Sequence, residues 1–194
     1  MMDTRIKTAA AGEVLVIDDV INFIKYEDDD VGNEMSLIAQ MIAAVRVHFE
    51  RRTGLSFIEK TYETLFKLDD RPYILPVSPV ISVDKVELVD YEGTKTELDL
   101  NSDYYKRGLY QVEIQTSQMT GWPNPWHSIG SHYDLLVTYK AGYDHDDTEP
   151  LPFDLKDAIK KQVMQWYNNR DDFYEDKILG SIDRILQLYK TKVF

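Results

Sequence analysis

The apolar period of this chain changes twice, and that change constrains the fold more than any motif does. From Asn33 to Thr53 the residues Ile38, Met41, Ile42, Val45 and Phe49 recur at helical spacing, so one stripe of a long helix must face a core. From Tyr62 the period falls to two. Tyr62, Thr64, Phe66 and Leu68 share one strand face, with Glu63 and Lys67 on the other. Helical spacing returns between Phe153 and Asn169, through Leu155, Ala158, Ile159, Val163, Trp166 and Tyr167. A strand-rich middle therefore lies between helical ends.

Local signals place the boundaries. Arg51 and Arg52 fall in the last turn of the first long helix, where the macrodipole favours cations, and Gly54 is a ready stop. Pro152 suits the first turn of the second. Two short helices are expected, over Ile17 to Lys25 and over Ser181 to Tyr189, the latter with Ile182, Ile185, Leu186 and Tyr189 in phase and Ser181 as N-cap. Lys85–Val89 and Thr94–Leu98 flank Asp90-Tyr91-Glu92-Gly93, a hairpin signal in which Gly93 supplies the positive φ. A second hairpin is expected around Arg107-Gly108, and Tyr133–Tyr139 returns to strand. The expected class is α+β: a helical core of two long helices plus short terminal helices, with an inserted antiparallel, hairpin-rich region at about 61–140. Residues 1–16 read as a flexible N-terminal arm, 17–180 as the main domain, and 181–194 as a C-terminal partner-binding segment.

Composition narrows the function. The chain has no cysteine, which removes disulfides, thiolate metal sites and cysteine nucleophiles together. Its net charge of -12 argues against a protein that grips nucleic acid, because counterion release needs clustered Lys and Arg. Met1 to Ala11 lacks the apolar stretch of a signal peptide, and no apolar run approaches a membrane span, so a soluble protein made inside the cell is expected.

Two acidic loops, Asp28–Asp30 and Asp144–Asp147, invite a metal reading. Counted from Asp28, the twelfth position of a calcium loop is Ala39, and counted from Asp144 it is Leu155, where a bidentate Glu is needed. His127 and His132 lie in a loop rather than on one helical face. No nucleophile elbow, zinc-protease motif, P-loop or dinucleotide fingerprint is present. No catalytic residue, metal site or cofactor is assigned. Trp122 and Trp126, in the irregular stretch Thr116–His132, form either an exposed contact patch or a cover for the local core.

Three motifs then occur in a fixed order. Pro76-Val77-Ser78-Pro79-Val80-Ile81-Ser82-Val83 leads into the Lys85–Val89 strand, Leu136-Val137-Thr138-Tyr139-Lys140-Ala141-Gly142-Tyr143 follows, and Pro152-Phe153-Asp154-Leu155-Lys156-Asp157-Ala158-Ile159 opens a helix ending at Asn169-Arg170. With the Thr53-Gly54 step and Trp122-Pro123, this series resembles the head–tail connector (adaptor) proteins of tailed bacteriophages, over about Ile17 to Tyr189.

The resemblance implies a non-enzymatic virion protein at the neck, made in the host cytoplasm. It implies a homo-oligomeric ring, expected as a dodecamer, between the portal and a stopper or tail-terminator protein. Double-stranded DNA would pass through the lumen without specific binding, and no membrane is involved. It further implies a C-terminal portal-binding segment, here Ile182, Ile185, Leu186, Tyr189, Val193 and Phe194. Other readings are a different neck or tail-completion protein and, in another class, a metal-assisted hydrolase using the acidic loops. The N-terminal arm and the Thr116–His132 loop depart from many members of that family.

Overall fold

The computed structural model describes residues 2–10, 12–24, 31–67, 72–116, 133–143, 150–169 and 178–190. These divide into a helical unit and a sheet unit, each with its own core.

The helical unit holds α1 (Ile17–Ile24), α2 (Val31–Thr53), α3 (Phe153–Asn168) and α4 (Gly180–Tyr189). The stripe Ile38, Met41, Ile42, Val45 and Phe49 is buried as its spacing demands, against Val20 of α1, Leu155, Ala158, Ile159 and Val163 of α3, and Ile182 and Leu186 of α4. Each of these side chains larger than alanine contributes roughly 1.5–3 kcal/mol when fully buried. Helix α2 stops where the sequence indicates: Gly54 takes φ +75°, and its N–H donates to the Glu50 carbonyl at 2.9 Å. Helix α4 begins with Leu179 as its N-cap residue, without a side-chain cap, so Ser181 lies inside the helix rather than at its start.

The sheet unit holds β1 (Asp3–Thr8), β2 (Lys60–Lys67), β3 (Tyr73–Ile74), β4 (Val80–Val89), β5 (Lys95–Glu97), β6 (Tyr104–Arg107), β7 (Glu113–Thr116) and β8 (Asp134–Ala141). Five strands form an antiparallel sheet in the order β1-β2-β8-β4-β5, and three form a second in the order β3-β7-β6. In the register of the larger sheet, Tyr62 faces Tyr139, Phe66 faces Leu135, and Val86 faces Val137. That face packs on Tyr73, Tyr104 and Ile114 of the smaller sheet. Tyr62 stacks on Tyr139 with ring centroids 5.7 Å apart, and Phe66 meets Tyr73 at 5.6 Å. Burial pushes the Tyr139 phenol up to about 12.

This architecture corrects the expected fold. The described residues are 38% helical and 33% strand, in four helices and eight strands. The fold is a mixed α+β one with two antiparallel sheets, not a helical core carrying an inserted hairpin region. The reason lies in β8. Leu135, Leu136, Val137, Thr138 and Tyr139 are buried in succession, as in a strand flanked on both sides, so β8 gathers β2 and β4 into a sheet with a core of its own. The segment expected as a flexible arm also contains a strand. Strand β1 pairs along β2 from Asp3↔Leu65 to Thr8↔Thr61.

Candidate interaction surfaces

The candidate sites of this chain are surfaces. Among the described residues no cluster of three or more His, Asp or Glu is placed to hold a metal ion, and no helix is long and apolar enough to cross a membrane. Asp28–Asp30, Leu68, Trp122, Trp126, His127, His132, Asp144–Asp147, Val193 and Phe194 lie outside the described residues.

Of the C-terminal positions, Ile182 and Leu186 are fully buried in the helical core, while Ile185 and Tyr189 are half-buried against it. Polar contacts fix the same helix. The Tyr189 hydroxyl donates to the Asp154 carboxylate of α3 at 2.8 Å, and Arg52 Nη2 donates to Asp183 Oδ1 at 2.7 Å. The apolar stripe of α4 is thus occupied by the protein itself. Its solvent side presents Leu188, which is 82% exposed.

The outer face of the five-stranded sheet carries a charge lattice. Arg5, Glu63, Thr138 and Lys85 stand in one row across β1, β2, β8 and β4. Glu63 accepts from Arg5 at 2.6 Å and pairs with Lys7 at 2.8 Å. The hydrogen bonds from Lys7 and then Arg5 hold its carboxyl below the usual carboxylate range. In the next row Glu87 faces Glu97, and Lys85 Nζ bridges them at 2.8 and 3.2 Å. Such interlocked charges keep a sheet face soluble and make it a poor apolar docking surface.

Two features are better shaped for contact, and sequence reasoning found only half of one. The Arg107-Gly108 turn was expected, but not what it displays. Gly108 takes φ +106°, and a Cβ there would stand 2.1 Å from the Gln111 carbonyl oxygen, so the turn requires glycine. The turn presents Leu109, 97% exposed, with Tyr110 and the exposed Lys106 and Arg107 beside it. An apolar pair directly after a turn glycine is the signal that marks it.

The second feature is a cavity of about 620 Å³ in the helical unit. Buried Leu15, Phe57 and Leu151 line it together with Val16 and Phe153, which are 65% and 83% exposed. One wall is the segment before α1, pinned to α2 by a two-point bond from Arg46 Nε and Nη2 to the Glu13 carboxylate, both at 2.8 Å. Arg46 also donates to Glu50 at 3.1 Å, and Glu50 accepts the Phe57 N–H at 2.8 Å. The Glu13 bond, with Glu50 beside it, raises the Arg46 pKa despite burial. Lys156, Asp157 and Lys160 of α3 line the other side. No periodic pattern marks a concavity assembled from three separate segments.

No protein-family model and no curated protein matches the chain. Its fold, however, is shared end to end with solved structures. A chain from the neck of the empty GTA particle, computed with C6 symmetry, is 17% identical with a TM-score of 0.74, covering 99% of this chain and 97% of that one. A chain from the virion of the native gene transfer agent (GTA) particle is 20% identical with a TM-score of 0.72, over 98% and 96%. A chain from the neck of the native GTA particle, computed with C12 symmetry, is 19% identical with a TM-score of 0.68, over 99% and 97%. At these identities the likeness is one of fold.

Proposed function

We propose that this chain is a structural protein of a particle neck, a head–tail connector that assembles into a homo-oligomeric ring between portal and tail. The observation that carries the reading is the whole-length likeness of fold to chains from GTA particles, two of them from necks computed with sixfold and twelvefold symmetry. The ordered series from Pro76 to Arg170 supports the same reading from the sequence. A ring of twelve copies fits the twelvefold case. The role is one of assembly rather than catalysis.

In such a ring the portal meets the solvent side of α4, led by Leu188, because Ile182 and Leu186 are committed to the helical core. The other end of the ring receives a stopper or tail-terminator protein. The net charge of -12 suits a lumen that lets duplex DNA slide, since like charges repel phosphates over a screening length of about 8–10 Å. Particles assembled without the chain should accumulate as heads that lack tails, counted by electron microscopy. Normal tailed particles in its absence would overturn the reading.

A further inference from the structure

We infer that the β6–β7 turn of one copy inserts Leu109 and Tyr110 into the cavity of the helical unit of the next copy, and that this contact joins subunits head to tail. The inference rests on the ring reading above and names the surface through which the ring closes.

The turn has the properties of an anchor. A leucine that is 97% exposed contributes nothing to its own core. It is also held in place rather than left to wander. Tyr110 O accepts the Val80 N–H at 3.1 Å, Val112 O accepts the Leu75 N–H at 2.9 Å, and Gly108 fixes the turn. An anchor ordered before binding loses little conformational freedom on docking. Tyrosine and arginine, here Tyr110 and Arg107, are the residue types most enriched in interface hot spots.

The cavity has the properties of a socket. Its 620 Å³ lies in the range that takes a compact apolar group the size of a leucine–tyrosine pair. Phe153 and Val16 stand open beside it although both are apolar, and burial by an inserted side chain would cover them. The charged lining of the cavity is mixed, with Glu13, Asp19 and Asp157 beside Lys156 and Lys160, and Glu13 and Asp157 are already paired with Arg46 and Lys161. A second copy is the occupant that the ring reading supplies, since chains of like fold come from necks computed with sixfold and twelvefold symmetry.

Anchor and socket are different surfaces of one chain. An apolar residue that fits a pre-existing pocket elsewhere on the same protein makes a heterologous contact, and such contacts close into rings when the rotation allows.

The absence of cysteine gives a clean test. A chain carrying both Leu109→Cys and Val16→Cys should form, under mild oxidation, a ladder of covalently linked oligomers on a non-reducing gel. Each single variant should stay unlinked, and a mixture of the two should give linked dimers only. Leu109→Asp, at an exposed position, should keep the native melting temperature and weaken self-association by about tenfold or more, read by mass photometry. Dimers from Leu109→Cys alone would overturn the head-to-tail contact. So would the absence of a ladder at the highest soluble concentration. Rings of the native chain together with an unlinked double variant would reject the contact and keep the ring. A native chain that never self-associates, alone or on particles, would reject the ring reading itself.

Discussion

Glu63 shows how a charged residue can be both buried and stabilising at the scale of one side chain. It is 7% exposed, yet Arg5 and Lys7 reach it from the neighbouring strand with their own heads in water. Its pKa in the folded chain is lowered, so the stabilisation is present above the ordinary glutamate value of about 4.3 and is lost as pH falls through the lower folded value. Glu63→Gln should therefore cost about 1 kcal/mol at neutral pH, modest because both cationic partners are exposed. The difference in melting temperature between native and variant chains should shrink towards zero in acid. A gap that stayed constant from neutral pH to below 4 would show that the ion pairs do not carry it.

At the scale of the element, α4 is the helix whose apolar stripe most resembled a partner-binding surface. A ten-residue helix is marginal alone, so its apolar face must be buried somewhere. The fold supplies the site. Ile182 and Leu186 are fully enclosed, worth about 3–6 kcal/mol together, which is a large share of the roughly 5–15 kcal/mol that holds a domain. Ending the chain after Leu179 should thus melt α1 to α3 as well, measured as a loss of helical circular dichroism beyond that of the ten residues of α4. A truncated chain that kept the remaining helicity and a cooperative melt would return α4 to the role of a free docking segment.

For the whole molecule, the chain enters the sheet unit at β1, leaves to build α1 and α2, returns for β2 to β8, and leaves again for α3 and α4. Neither unit is a continuous stretch of sequence. Most of the pairing is between distant segments, which is why a hairpin-by-hairpin reading described the sheet poorly. The net charge also acts at this scale. A chain of -12 should not retain duplex DNA at near-physiological salt in a gel-shift measurement. Tight binding that weakened steeply with added salt would mean a gripping surface and would remove the sliding-lumen account.

The sequence by itself determined what depends on neighbours a few residues apart. The helical stripe and its stop at Gly54, the face of β2 as far as Phe66, the turn at Asp90–Gly93 and the stripe of α3 all stand where spacing and turn chemistry put them. Tertiary structure decided what each buried face meets. Strand β1 has Ile6 as its only apolar residue, so its pairing rests on partners that β2 supplies, Thr64 for Thr4 and Glu63 for Arg5. The stripe of α4 announced a need for burial but not that the chain's own core would meet it. The cavity and the exposed Leu109 belong to the same class, since a concavity arises only when separate segments are brought together. Periodicity reports which side chains leave water, and only the packed chain settles what they touch.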